Sequence, residues 1–204
     1  MMNVPKFKYR TNSDNKDSKK LAVLLPGMGY TVQKPLLYYA KNMAMTHGYH
    51  VIEIKYDRVD THIPTGIAQA YKMMLPYMKE FNWNAYEQII FIEKSIGTVL
   101  GHRYAGELSI PASHFSITPL PQTFDYLCHD FPCFLLHGNH DKYMNTHDFL
   151  QACDKLHKNE GQDYWILDNA NHSMEIGDTI KDLENMKVMM MLLQKMLCIK
   201  GDSL

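Results

Sequence analysis

The sequence lacks a membrane-spanning run. No stretch approaches the roughly 18 consecutive apolar residues that a transmembrane helix needs. It also lacks a charge excess. Lys and Arg total 21, Asp and Glu 22, and the formal net charge is -1. That leaves no global basic field for nucleic acid or an anionic membrane surface, and neither is an expected partner. Cysteine is scarce. The four thiols, Cys128, Cys133, Cys153 and Cys198, contain no Cys-x-x-Cys pair. They read as reduced thiols of a cytoplasmic protein. Residues 1–20 are polar and lack the apolar core of a signal peptide, which fits the same compartment. No internal repeat, low-complexity tract or domain boundary interrupts the chain.

What is present is an ordinary globular composition, 46% hydrophobic and 21% charged over 204 residues. That suffices for one domain with a full core. The expectation is a single domain over 1–204, with an edge strand and a polar loop in residues 1–20. Apolar or alternating runs predict strands at 7–10, 21–25, 50–56, 87–93, 112–117, 132–137 and 163–167. Helical spacing predicts helices from Pro35 to Gly48, over 65–81, from the segment after Ser95 to about Tyr104, over 146–157 and over 178–199. Pro76 predicts a kink or break in the second of these. Gly106 is placed as the stop of the third and Asp178 as the N-cap of the last. The methionines at 186, 189, 190, 191 and 196 read as one packed core face. Alternating strands and helices joined by short connections imply an α/β fold. Its sheet is mostly parallel, with right-handed crossovers and helices on both faces.

In such sheets ligands bind beyond the carboxyl ends of the strands. Four strand ends carry chemistry: Pro26-Gly27-Met28-Gly29, Ser95, Asp141 and His172. A serine at a sharp strand-to-helix turn has the geometry of a nucleophile elbow. Its hydroxyl is a poor nucleophile until a base takes its proton. Histidine can do so, and a carboxylate can fix the histidine tautomer. The order Ser95, Asp141, His172 places one such residue after each of three strands. Asp125 is the alternative acid. His140, beside Asp141, reads as a pocket or surface residue. A metal reading of His137, His140, Asp141 and His147 is disfavoured, because no HExxH-type spacing gathers them on one helix face. Nothing in the pattern demands a metal or an organic cofactor.

The chain resembles the small, lidless α/β-hydrolases. Leu25-Pro26-Gly27-Met28-Gly29 is similar to their His-Gly-x-Gly oxyanion turn, with Pro26 in place of His. Gly138-Asn139-His140-Asp141 resembles their acid loop, and Asn171-His172-Ser173-Met174-Glu175 their histidine loop. The resemblance covers roughly residues 20–200 and implies an α/β-hydrolase fold with minimal or no cap. It implies a Ser95–His172–Asp141 triad and an oxyanion hole formed by the backbone N–H groups of Met28 and Ile96. The elbow departs from Gly-x-Ser-x-Gly at Glu93. A carboxylate there disfavours further negative charge unless neutralised, so Glu93 is expected to be paired or to point to the rim.

Only residues 118–131 offer partial cover for the site. Gly27, Met28, Tyr30, Leu120, Phe124 and Tyr143 are the candidate substrate-binding residues. The leading expectation is a serine hydrolase acting on a small-molecule carboxylic ester or thioester. The alternatives are an acyltransferase or amidase on the same triad, or a catalytically silent interaction module that kept the fold.

Overall fold

The computed structural model describes residues 8–11, 16–56, 58–127, 131–154 and 162–198. Cys128, the ends of the fourth and fifth predicted helices, and Phe7 lie outside them. The strands are β1 (Lys8–Arg10), β2 (Lys20–Leu25), β3 (His50–Glu53), β4 (Gln88–Lys94), β5 (Ala112–Ile117), β6 (Cys133–Gly138) and β7 (Gln162–Leu167). They form one seven-stranded sheet in the order β1-β3-β2-β4-β5-β6-β7. Only β1 runs antiparallel, against β3; the others are parallel. The helices are α1 (Pro35–Thr46), α2 (Ile63–Glu80), α3 (Ile96–Glu107), α4 (Thr146–Asp154) and α5 (Thr179–Cys198).

The central strands β2 and β4 are apolar on both faces, because both faces are covered. Leu24, Ile90, Ile92 and Phe115 pack under α1 and α5, against Leu37, Ala40, Met189 and Leu193. Leu21, Leu25 and Phe91 pack under α2 and α3, against Met74, Val99 and Leu100. Cys133, Leu135, Phe149 and Cys153 make a smaller core between β6 and α4. Each Leu, Ile, Val, Phe or Met side chain among these contributes roughly 1.5–3 kcal/mol when fully buried.

Several boundaries differ from the sequence expectation. The third strand ends at Glu53 rather than Tyr56. The second helix begins at Ile63 and carries Pro64 in its first turn, where a missing N–H costs nothing. That helix runs unbroken past Pro76. Pro76 and Lys72 both lie on its exposed side, so the carbonyl that Pro76 leaves without a partner can reach water. The third helix continues through Gly106 to Glu107; the turn out of it is made by Ser109, at φ 51°. Of the methionines on α5, Met189 and Met190 are buried while Met191 faces solvent. Asp178 does cap α5, its Oδ1 accepting from the amides of Ile180 and Lys181 at 3.1 and 3.2 Å. Cys133, Cys153 and Cys198 are free thiols.

Glu93 is paired. It is completely buried and points under α3. Its Oε1 accepts from His114 Nδ1 at 2.9 Å, and its Oε2 accepts from Ser116 Oγ at 2.6 Å. His102 Nε2 lies 3.0 Å from Ser116 Oγ, and its ring stacks on that of His114 with centroids 3.8 Å apart. Burial pushes the Glu93 carboxyl above the usual carboxylate range, while His114 and the two hydrogen bonds pull it back down. Burial also holds His102 well below the ordinary imidazole value, so it is neutral at pH 7.

Gly101 of α3 crosses directly over this carboxylate. A Cβ there would overlap Glu93 Oε1. Removing the carboxylate strands His114 and Ser116 in an apolar layer, and breaking a buried pair from one side costs about 3–5 kcal/mol. Glu93→Gly, although it restores the common elbow sequence, is therefore expected to lower unfolding free energy in urea by about that amount. Gly101→Ala forces Glu93 from its partners and is expected to cost about 1–3 kcal/mol in the same titration. Wild-type stability in either variant would mean that the carboxylate is no structural partner.

Candidate functional site

The strand order reverses between β2 and β4: the chain leaves β2 toward β3 on one side and returns to β4 on the other. The crevice beyond the carboxyl ends of these two strands is the topological switch point, the natural ligand site of an open α/β sheet. Ser95 follows β4 there and the Pro26-Gly27-Met28 turn follows β2.

Ser95 sits at φ 54° and ψ -118°, immediately before α3. Residues with side chains avoid such a conformation unless their surroundings impose it. Its amide donates to the carbonyl of Ile117 at 3.1 Å, and its carbonyl accepts from Thr98 Oγ1 at 2.6 Å. Two glycines make the turn possible. A Cβ on Gly27 would lie 3.1 Å from Ser95 Cβ, and a Cβ on Gly97 would overlap the carbonyl of Leu25. The first turn of α3 thus crosses β2 at backbone contact, and the serine side chain is turned out of the sheet.

Asp141 lies in the turn after β6, its amide bonded to Gly138 O at 2.9 Å. Gly138 meets the carbonyl of Ala170 so closely that a Cβ would not fit. The next loop is laced to it: His140 N donates to Ala170 O at 2.9 Å, and Asn169 N to Asn139 Oδ1 at 2.7 Å. Asn171 folds the histidine loop around itself. Its Oδ1 accepts from Ser173 N at 2.7 Å, and its own amide donates to Glu175 O at 2.9 Å. Met174 takes the left-handed conformation, φ 65°, at the tip.

These loops bring the three residues together in one chain of hydrogen bonds. Asp141 Oδ2 lies 2.6 Å from His172 Nδ1, and His172 Nε2 lies 2.8 Å from Ser95 Oγ. The other Asp141 oxygen accepts from the amide of Tyr143 at 2.9 Å. With one Asp141 oxygen accepting from a backbone amide and the other facing His172 Nδ1, the histidine proton is assigned to Nδ1 and the lone pair to Nε2. Burial, aided by the charges of Lys94 and Lys142, moves His172 below its ordinary value; the Asp141 hydrogen bond and charge pull the other way. The ring is neutral at pH 7 and can accept the serine proton. Asp125, the alternative acid, is exposed on a short 3-10 turn, Pro121–Asp125.

The amides of Met28 and Ile96 have no acceptor among the described residues. Ile96 opens α3, so its N–H is one of the free donors at a helix start. Beside the triad lies an open cleft of about 440 Å³, lined by Thr61, His62, Ile63, Pro64, Leu120, Pro121, Gln122 and Tyr143. Tyr143 joins the cleft to the triad, its ring edge-on to His172 with centroids 4.6 Å apart.

Of the expected pocket residues, Leu120 and Tyr143 line this cleft. Met28 packs against the core under α2. Phe124 packs edge-on against Phe149. Tyr30 lies over Lys94, accepts from Leu36 N at 3.2 Å, and has its phenol pushed up to about 12 by burial. The cleft wall at Thr61–Pro64 has no counterpart in the sequence reading. Nothing local in the sequence says that α2 starts beside Leu120.

The histidines at 137, 140 and 147 do not gather around Asp141; His137 Nε2 is bonded to Thr146 Oγ1 at 3.2 Å and His140 is exposed. Among the described residues, the side chains close enough to share an ion are Glu93, His102 and His114. A ligating histidine normally donates its other ring nitrogen to an acceptor. Here His102 Nδ1 and His114 Nε2 have no hydrogen-bond partner, so the trio fits a hydrogen-bonded network better than a metal centre. No helix of the described residues is long and apolar enough to cross a membrane.

No family model matches the chain, and no curated protein matches it. Solved structures do. A putative alpha/beta hydrolase from Agrobacterium tumefaciens superposes at a TM-score of 0.69 with 16% identity, over 97% of this chain and 95% of that one. A serine hydrolase without lid from Xanthomonas campestris gives 0.67 at 12% identity, over 97% and 91%. An esterase from Pyrococcus furiosus gives 0.62 at 15% identity, over 92% and 91%. Strand order, crossover pattern and these superpositions agree: the chain has the α/β-hydrolase fold, with no cap domain among its described residues.

Proposed function

We propose that the protein is a serine hydrolase of small carboxylic esters or thioesters. The hydrogen-bonded chain Ser95–His172–Asp141 carries this reading. Ser95 Oγ attacks the acyl carbonyl as its proton passes to His172 Nε2. Asp141 holds Nδ1–H and stabilises the imidazolium that forms. Negative charge develops on the carbonyl oxygen and is received by the amides of Met28 and Ile96 and by the positive end of α3. The imidazolium then protonates the leaving alkoxide or thiolate, leaving the acyl group on Ser95. Water, deprotonated by His172, releases the acid and restores the serine.

The cleft supports an uncharged substrate of modest size. Its apolar wall is Ile63, Pro64, Leu120, Pro121 and Tyr143, and its polar groups are Thr61, His62 and Gln122. No Lys, Arg, Asp or Glu lines it. The Xanthomonas campestris and Pyrococcus furiosus proteins of the same fold are a serine hydrolase and an esterase, which is consistent with this reading. An acceptor other than water would turn the same acyl-enzyme to transfer.

A fluorophosphonate probe tests the reading without knowledge of the substrate. Labelling is expected at Ser95, absent in Ser95→Ala and slowed about 10³-fold or more in His172→Ala. The rate is expected to fall in acid as His172 takes a proton, with its half-maximum below pH 6.5 because burial and Lys94 lower that group. A screen of short esters, thioesters and amides, run with and without added alcohol or amine, then assigns the acyl donor and acceptor. Folded protein that takes no label would favour the silent interaction module.

A further inference from the structure

Lys94 precedes the elbow serine and is directed away from Glu93, to the opposite face of β4. It is almost fully buried, 1% exposed. An ammonium in such a place is costly unless its donors and charge are met. No carboxylate lies within ion-pair distance of it among the described residues. Its three N–H donors meet three different parts of the chain instead. Nζ donates to Thr118 Oγ1, at the end of β5, and to the backbone carbonyl of His172. It also faces the ring of Tyr30, after β2, at 5.2 Å from the centroid. Thr118, a β-branched residue, is held at φ 46° where it meets this ammonium, a conformation such residues rarely adopt.

We propose that Lys94 is a positioning residue for His172: its ammonium fastens the histidine loop to the nucleophile elbow and opposes a second positive charge on the imidazole. The proposal rests on the hydrolase reading of the same site. A carbonyl held by Nζ fixes His172 along the chain, while Asp141 fixes its ring. The two restraints together set where Nε2 points.

The charge acts alongside the position. His172 is faced by Asp141, Lys142 and Tyr143 from the acid loop, by His137 from β6, and by Lys94 from β4. Lys94 itself is faced by Tyr30, Thr118, His172, Asp141 and Glu175. Burial lowers Lys94 to about 7, against the pull of the Asp141 and Glu175 carboxylates. Below that pH, where His172 titrates, Lys94 is charged and disfavours imidazolium.

Two variants separate clamp from charge. Lys94→Met removes both; Lys94→Gln keeps a donor for the carbonyl and removes the charge. The pH profile of fluorophosphonate labelling is the first readout, with circular dichroism verifying the fold. Both variants are expected to move the acid limb up by about one pH unit, and Lys94→Met to lose plateau rate about tenfold more than Lys94→Gln. The second readout is the NMR titration of the His172 ring in Ser95→Ala protein, which needs no catalysis. It is expected to show the same upward shift on Lys94→Gln. With Lys94 in place, it is also expected to show a second inflection at higher pH, as Lys94 loses its proton. Folded variants with a wild-type acid limb and an unmoved His172 titration overturn the proposal. If the variants do not fold, the absence of the second inflection in protein retaining Lys94 overturns it. Protein retaining Ser95 and Lys94 that takes no label would instead defeat the hydrolase reading, leaving the NMR titration to decide the role of Lys94.

Discussion

The site depends on one backbone conformation, a serine at positive φ between β4 and α3. Holding a residue with a side chain there costs roughly 1–3 kcal/mol, and the neighbourhood is arranged to meet that cost. Ser95 N is tied to β5 and Ser95 O to Thr98. Gly27 and Gly97 let β2 and α3 close to backbone contact around the turn. The same turn sends the hydroxyl out of the sheet and sets the free amide of Ile96 beside it. A relaxed serine would lose both consequences together.

Glu93 and Lys94 extend this logic to either side of the sheet. They are adjacent, both charged in water, both buried, and directed to opposite faces. Glu93 anchors the underside of α3 through His114 and Ser116 and leaves space only for glycine at 101. Lys94 gathers the ends of β5 and the histidine loop above the other face. Neither carboxylate nor ammonium needs the other. The carboxylate that departs from the common elbow sequence is directed under α3, where it is hydrogen-bonded to His114 and Ser116 rather than turned toward Ser95.

Much of this was legible in the sequence because strand ends are where sheet chemistry collects. Continuous apolar runs marked β2 and β4, and Ser95, Asp141 and His172 each followed such a run; the structure brings these three within hydrogen-bond reach of one another. The partners of Glu93 were not legible. His114 and Ser116 lie two apart on one face of β5, a polar alternation inside an apolar strand, but only the pairing of β4 with β5 aligns them with Glu93. His102 comes from the helix that crosses above. Local rules failed where solvent exposure decided the outcome: Pro76 sits on the wet side of α2, so its missing hydrogen bond did not end the helix. The cleft wall at Thr61–Pro64 was invisible because its placement beside Leu120 comes from the packing of α2 against α3, not from any residue within it.

The proposed hydrolase requires that the elbow, the glycine turn and the histidine loop together form a pocket for an oxyanion beside Ser95. A crystal structure of the fluorophosphonate adduct measures this directly. Phosphorus is expected to be bonded to Ser95 Oγ, with the phosphoryl oxygen about 3 Å from both the Met28 and Ile96 amides and the probe's chain in the cleft beside Tyr143. An adduct on another residue, or a phosphoryl oxygen turned away from both amides, would contradict it.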